Sequence, residues 1–246
     1  MVSPLSITSL EKRMDNGIVW YRLNDQASIH VTIPNGIVST MIIDIDQCDT
    51  FTLDAMVDTN GRLDIALIGM NAHDCTGQIT VTLLDHGQTN IRSCFLGNAK
   101  KQVVNTIIHR GQHTVSTMEH YGLINTDAPF NIEAIGRIEK KANDAQCHQA
   151  LRALTFASND HVTMIPSLYI DNYDCAASHS TSIGQISPKQ LYYLQSRGLT
   201  MDAITLLLAH GYIQPVLALI DDETIKNNIQ EIIEKVVIDA CTMKTK

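Results

Sequence analysis

The sequence predicts an all-β core followed by a small C-terminal α-helical domain. Between about residues 17 and 186, apolar residues form short runs rich in Ile, Val and Thr that are bounded by Gly, Asn and Asp, as is typical of strands and turns. From Ser187 the apolar period changes from two to about 3.6 residues. We therefore predict an N-terminal segment (1–16), a β-core (17–186) and a helical domain (187–246). Glycines also recur at nearly regular intervals through the core, at Gly61, Gly69, Gly77, Gly87, Gly97, Gly111, Gly122 and Gly136.

The core carries its clearest strand pattern in four segments. Turn signals such as Asn35-Gly36 and His86-Gly87 separate these segments, which span residues 37–45, 62–68, 78–84 and 103–108. Strand-like segments separated by turns at regular intervals fit a β-sandwich or a coiled β-solenoid, because both folds alternate inward apolar residues with outward polar residues. Before the core, only residues 10–13 are a possible helix.

The first helix of the C-terminal domain has a clear start and end. Ser187 is placed as the N-cap, Pro188 takes the first helical position, and Gln190 can close a capping box. Gly198 can adopt the left-handed conformation that ends a helix. The sequence thus predicts a helix ending at Arg197.

Two more helices are predicted after it. Thr200 caps a helix over residues 201–210 that Gly211 ends, and a third begins after Asp222. The third helix has a continuous apolar stripe, which covers the core of the chain or docks a partner in a groove. The stripe comprises Ile225, Ile229, Ile232, Ile233, Val236, Val237 and Ala240.

The composition excludes several classes of function. The 246 residues carry 18 Lys+Arg against 26 Asp+Glu, a net charge of −8, which argues against nucleic-acid binding through phosphate neutralisation. No apolar run is long enough for a membrane helix, and no secretory signal is evident. Six cysteines without a CxxC pattern indicate reduced thiols. We expect a cytoplasmic protein, with an organelle left open if the chain is a mature form.

The sequence has few features of an enzyme. It contains no GxxxxGK[ST], GxSxG or HExxH motif. Asp44 and Asp46 would share one face of an extended strand and could serve as an acid pair. The alternative to a binding protein is therefore a β-solenoid enzyme that acts on carbohydrate through this pair.

The C-terminal third carries a series of motifs that belong together. Residues 130–136 read FNIEAIG, residues 149–152 read QALR, and residues 162–166 read VTMIP. Downstream follow SHSTSIG at 178–184, QLYYLQSRG at 190–198, and Gly211-Tyr212. This series resembles the SufB/SufD family of iron-sulfur cluster assembly proteins, firmly over about residues 127–215.

The resemblance implies a fold and a function. The fold is a right-handed parallel β-helix followed by a small helical domain. The implied function is a non-catalytic scaffold of the SUF system, whose C-terminal helices dock a SufC-like ABC ATPase that hydrolyses ATP. Such scaffolds pair through their β-helices, assemble a cluster at the subunit interface, and receive sulfur from a cysteine desulfurase or sulfur carrier.

The resemblance also implies site residues. His179 aligns with the histidine that SufD is proposed to use in cluster assembly, and Cys175, four residues earlier, would point to the same strand face. Cys147 is a further candidate ligand, since thiolate and imidazole both suit iron. Ser180 and Leu151 stand where SufB has a glutamate and a cysteine, so the chain looks closer to SufD.

The partner surface is expected on the first two helices. Its candidate residues are Tyr193, Arg197, Gly198, Gly211 and Tyr212. The chain is short for the family, which suggests a minimal homodimeric scaffold that ligates a cluster itself, as an alternative to pairing with a SufB-like subunit.

Overall fold

The chain folds as a parallel β-helix with three C-terminal helices. The computed structural model describes residues 4–97, 99–124, 127–156 and 161–242. Every strand pair in the described part is parallel, and the strands form a solenoid of about six turns. The strands are β1 (Leu5–Arg13), β2 (Gly17–Ile33), β3 (Val38–Val57), β4 (Arg62–Gly69), β5 (Cys75–Leu83), β6 (Gln88–Gly97), β7 (Lys101–His109), β8 (Val115–Ile124), β9 (Phe130–Ile138), β10 (Ala145–Thr155), β11 (Val162–Ile170) and β12 (Cys175–Gln185). The helices are α1 (Pro188–Ser196), α2 (Met201–Leu217) and α3 (Glu223–Thr242).

The strands stack into two sheets that enclose the core. Sheet 1 contains the first halves of β2 and β3, then β4, β6, β8, β10 and β12. Sheet 2 contains the second halves of β2 and β3, then β5, β7, β9 and β11. The long strands β1, β2 and β3 contribute to both stacks, so the predicted strand at 37–45 is only the first half of β3.

The turns of the β-helix lengthen along the chain. Near the start Gly17 pairs with Ser39, whereas near the end Ala145 pairs with Cys175, a longer step in sequence. Each turn contains two strands. Of the regularly spaced glycines, Gly61, Gly87 and Gly111 lie in the connections between strands, whereas Gly77, Gly122 and Gly136 lie inside strands. The solenoid alternative is confirmed over the sandwich.

The interior of the β-helix is mainly apolar and also contains buried polar side chains. Strands β5 and β7 alternate buried with partly or fully exposed residues, as expected for one face against the core. Buried polar side chains occur from Ser39 of β3 onward and are more numerous in the middle turns. Among these, His109 bonds to Thr114 and Ser116 at 2.8 Å, and the His120 Nδ1 lies 2.8 Å from the Ser93 hydroxyl.

Helices α2 and α3 cover the outer face of sheet 1. Ile213 of α2 and Ile229 of α3 are buried in one cluster with Trp20, Ile42 and Leu96 of the strands. The predicted stripe of α3 therefore packs against the chain's own sheet through Ile225, Ile229 and Ile233, with Ile232 partly buried. The side chains of Val236, Val237 and Ala240 lie outside the described residues. No helix in the described part is long and apolar enough to cross a membrane.

Two predicted elements were wrong. Residues 10–13 belong to strand β1, because the backbone there pairs with β2 and Leu10 packs against the core. Helix α2 continues through Gly211 to Leu217. A glycine inside a helix costs about 1 kcal/mol, and burial of Ile213 and Val216 on sheet 1 outweighs that cost.

Candidate functional site

The candidate ligands lie on the last two turns of sheet 1. Strand β12 pairs with β10 in unbroken register, with Ala145 opposite Cys175, Cys147 opposite Ala177, and Gln149 opposite His179. Residues two apart on a strand share a face, so Cys147, Cys175 and His179 all lie on the inward face. Ala177 of β12 is paired with Cys147, and Cys175 and His179 lie two residues to either side of Ala177. The structure therefore brings the three predicted residues together as diagonal neighbours.

Cys147 is the enclosed member of this group. Its side chain is completely buried, and burial raises the pKa of its thiol, with a smaller lowering by a hydrogen bond from Ser116. On the opposite wall of the β-helix, a Cβ at Gly136 would lie 2.5 Å from the Cys147 Sγ. The close approach of this thiol thus requires glycine at position 136.

Cys175 and His179 are accessible because the β-helix is open at this end. In the described chain, β12 is the last strand of sheet 1 and β11 the last strand of sheet 2. Cys175 is partly buried and donates to the Asn172 carbonyl oxygen at 3.3 Å, whereas His179 is exposed. A thiol and an imidazole therefore face the same open end, where a second molecule can reach them.

Gln149 belongs to the same region, although sequence analysis recognised it only as part of a motif. Its Nε2 donates to the Ser167 carbonyl oxygen of β11 at 3.1 Å, so the side chain crosses the interior from sheet 1 to sheet 2. Its buried Oε1 has no hydrogen-bond partner in the described structure. Gln149 is paired with His179 on the next turn of the β-helix. This pairing depends on the strand register, which residue spacing in the sequence does not reveal.

The arrangement does not form a complete metal site within one chain. Among the described residues, no group of three or more His, Cys, Asp or Glu side chains is placed to hold a metal ion. Thiolate and imidazole are nevertheless suitable donors for iron. Chemically, this end of the chain can supply part of a ligand set that other groups complete.

Helix α1 and the two residues after it contain three of the five predicted partner residues. None of its residues is buried, and Tyr192 and Tyr193 are 74% and 56% exposed. The Arg197 guanidinium lies over the Tyr193 ring at 5.2 Å. Gly198, with φ of +87°, ends the helix as predicted. Tyr193, Arg197 and Gly198 therefore form one accessible surface.

The other two predicted partner residues lie on α2. Tyr212 is partly buried and packs edge-on against Tyr121 of β8, with ring centroids 6.0 Å apart. Gly211 is exposed, and a Cβ there would meet nothing within 4 Å. Tyr212 therefore packs α2 against sheet 1.

The acid pair of the enzyme hypothesis has structural partners. The Asp44 Oδ2 accepts from the Arg22 Nε at 2.8 Å, and its Oδ1 accepts from the Asp46 backbone N–H. The Asp46 Oδ1 accepts from the backbone N–H groups of Met70 and Asn71 at 2.6 and 3.1 Å. The Asp44 carboxylate therefore binds the Arg22 side chain and a backbone N–H group, and the Asp46 carboxylate binds two backbone N–H groups.

Comparison with known proteins identifies the family. The model of the SUF system FeS cluster assembly SufBD core domain matches residues 6–212. The iron-sulfur cluster assembly protein SufD of Bacillus subtilis is 29% identical over 179 residues, which is 72% of this chain and 41% of that protein. A SufBD family protein of Pyrococcus horikoshii is 31% identical over 99 residues, covering 40% of this chain and 22% of the relative.

The matches cover different shares of this chain and of its relatives. The matched segments span less than half the length of both relatives, whereas the SufBD core match extends over most of this chain. It includes the β-helix, the candidate ligands and α1, and ends within α2. On this basis, the chain belongs to the SufBD core family of SUF iron-sulfur cluster assembly proteins.

Proposed function

We propose that this chain is a non-catalytic scaffold subunit of a SUF-type complex, on which a nascent iron-sulfur cluster is assembled as cargo. It would bind a SufC-like ABC ATPase through its C-terminal helices and a second scaffold subunit through the open end of its β-helix. A cysteine desulfurase or sulfur carrier would deliver sulfur transiently. Nucleic acid and membrane have no part in this function, and the expected compartment is the cytoplasm.

The observation that carries the proposal is the open last turn with Cys175 and His179. Both residues are accessible, both lie on the inward face of β12, and neither belongs to a complete site within the described chain. Cluster assembly at a subunit interface needs this kind of partial donor set, because the partner supplies the remaining ligands. Family membership gives iron and sulfur as the cargo.

A second scaffold subunit is supported by the exposed surface around this end. Tyr169, Ile170 and Tyr173 are 52%, 45% and 106% exposed on β11 and the segment after it. Edge strands with unpaired backbone groups and neighbouring apolar side chains favour association with another chain. Both a homodimer and a heterodimer with a SufB-like subunit satisfy this geometry.

ATPase docking is supported by α1. An amphipathic helix of a globular domain normally buries its apolar face, but α1 buries none of its residues in the described structure. With Leu207 of α2 also 56% exposed, the helical domain presents apolar and aromatic side chains that a partner can cover. Exposed aromatic residues of this kind often anchor protein interfaces.

Anaerobic co-purification with the SufC-like ATPase of the same organism tests the scaffold function. We expect a complex containing two ATPases and two scaffold subunits, measured by mass together with iron content. The double variant Tyr192→Ala, Tyr193→Ala should lose the complex while keeping its fold, because neither ring is buried. Met56→Ala, which removes an exposed side chain on sheet 2, is the matched control. A complex unchanged by the α1 variant would refute docking through this helix.

A homodimer that ligates the cluster itself is the second candidate function. Cys175 and His179, doubled across a dimer axis, would supply four ligands. Anaerobic reconstitution followed by visible absorption and Mössbauer spectra should show a cluster that Cys175→Ser and His179→Ala lose. Ser178→Ala is the control on the opposite face of β12. Equal cluster yield in all variants would remove Cys175 and His179 from the site.

A further inference from the structure

Two cysteines outside the candidate site meet at a corner of the β-helix. Cys48 lies where β3 passes from sheet 1 to sheet 2, and Cys75 begins β5 on the next turn. Thr50 of β3 pairs with Thr76 of β5, so each cysteine lies within two residues of a paired position. Winding by one turn therefore brings the two cysteines to the same corner.

The two side chains are buried neighbours in the core at this corner. The Cys75 side chain hydrogen-bonds to the Cys48 side chain, and both residues are almost completely buried, with exposures of 1% and 0%. The Cys48 Sγ also lies 3.1 Å from the Thr50 carbonyl oxygen and 3.4 Å from that of Asp25. Both side chains belong to one cluster of the β-helix core, so a disulfide between them would join two neighbouring turns.

The hydrogen bond between the thiols makes them unequal. It lowers the pKa of the Cys48 thiol, and the same contact, together with burial, raises the pKa of the Cys75 thiol. The thiolate is the reactive form of cysteine. Cys48 is therefore the sulfur that reacts first, and Cys75 is the neighbour that can resolve its product.

The surroundings favour reaction between the thiols over metal binding. The Lys101 side chain is buried at the same corner, where its Nζ donates to the backbone carbonyl oxygens of Asn71 and His73. Its positive charge favours thiolate formation at Cys75 and offsets part of the rise in that thiol's pKa. No third metal ligand joins the pair among the described residues.

We propose that Cys48 and Cys75 are a redox modification site, at which a peroxide joins two successive turns of the β-helix by a disulfide. This site is independent of the cluster-assembly proposal, because it lies at the other end of the β-helix from Cys175 and His179. The disulfide closes a loop of one turn, so it stabilises the fold by restricting the unfolded chain.

The reaction is a two-electron oxidation that forms two molecules of water. The Cys48 thiolate attacks one oxygen of hydrogen peroxide, forming an S–O bond and breaking the O–O bond. The other oxygen leaves as hydroxide and takes up the proton that Cys48 lost when its thiolate formed. The Cys75 sulfur then attacks the resulting sulfenic acid, forming the S–S bond. The S–O bond breaks, and this second hydroxide takes up the Cys75 proton. Both sulfurs are oxidised, and both peroxide oxygens are reduced.

Peptide mapping of the oxidised full-length chain tests the site. The reduced protein is treated with hydrogen peroxide, its remaining thiols are alkylated, and it is digested without reductant. We expect a peptide pair joined through Cys48 and Cys75, lighter than the two reduced peptides by two hydrogen atoms. The oxidised chain should also unfold at a higher temperature, and reductant should reverse this shift.

Variants and a refolding experiment make the test decisive. Cys48→Ser and Cys75→Ser should each abolish the linked peptide and the temperature shift. Cys94→Ser, which alters another buried thiol beneath the helices, should retain both. Refolding from urea with oxidised glutathione removes any barrier to access. If Cys48 and Cys75 are alkylated as free thiols after that refolding, or pair with other cysteines, the proposal is wrong.

Discussion

Replacing Asp46 by asparagine should stabilise the protein at neutral pH. Although part of the residue reaches solvent, its carboxyl is largely buried at the corner near Cys48, and burial, followed by repulsion from Asp44, raises its pKa from 3.8 to about 6. Both backbone hydrogen bonds from Met70 and Asn71 reach the same oxygen, Oδ1. An asparagine keeps that acceptor and removes the charge, so it imitates the protonated acid.

The size of the effect follows from the difference between folded and unfolded pKa. Because the folded pKa is higher, the native state binds more protons than the unfolded state between about pH 4 and 6, and stability falls as pH rises through that range. A difference of about two units is worth about 3 kcal/mol. Asp46→Asn should therefore gain up to about 3 kcal/mol above pH 6 and almost nothing at pH 4.

Urea unfolding at a series of pH values from 4 to 8 measures this gain. The difference in unfolding free energy between variant and parent cancels the pH dependence of all other groups, provided that the m-value is unchanged. Asp44→Asn is the contrasting control, since it removes the partner of Arg22 and should destabilise the protein at neutral pH. A gain that does not depend on pH, or a loss at pH 7.5, would refute the reasoning.

Three further predictions concern stability. Gly136→Ala should lower the unfolding free energy by about 1 to 3 kcal/mol, because the new Cβ would lie 2.5 Å from the Cys147 Sγ. Urea unfolding should show that adding Cys147→Ala recovers part of this loss. Gly198→Ala should destabilise the end of α1 by about 1 to 2 kcal/mol, because φ is +87°, and should speed hydrogen exchange of the α1 amides. Burial lowers the pKa of His109 to about 4, so stability should fall as pH drops from about 6.5 to 4, and His109→Gln should flatten that decline in urea titrations.

Much of the fold could be predicted because local chemistry determines its elements. The strand period, the turn residues and the capping box at Ser187 each act over short distances along the chain, and the structure contains the corresponding strands and helix. Choosing a solenoid over a sandwich required the family resemblance, because both architectures produce the same alternation. Helix α2 was predicted too short, since burial of Ile213 on sheet 1 is a tertiary effect that overrides the glycine signal.

The candidate site could be predicted only in part. The spacing of Cys175 and His179 placed them on one face, and β12 confirms that placement. Their proximity to Cys147, and the opposition of Gln149 and His179, depend on the register between successive turns, which no local pattern encodes. The ligand and partner roles of these residues stay predictions that the proposed variants test.

The open end of the β-helix links stability to the proposed function. Each inner turn is stabilised on two sides by neighbouring turns, whereas β11 and β12 have a stacked neighbour on one side only in the described chain. Local opening is easiest where contacts are fewest, so the strand that carries Cys175 and His179 should be among the most easily displaced parts of the β-core. A partner that covers this end would both complete the ligand set and supply the missing neighbour. Subunit pairing and ordering of the cluster site should therefore be coupled, because both require the same contact.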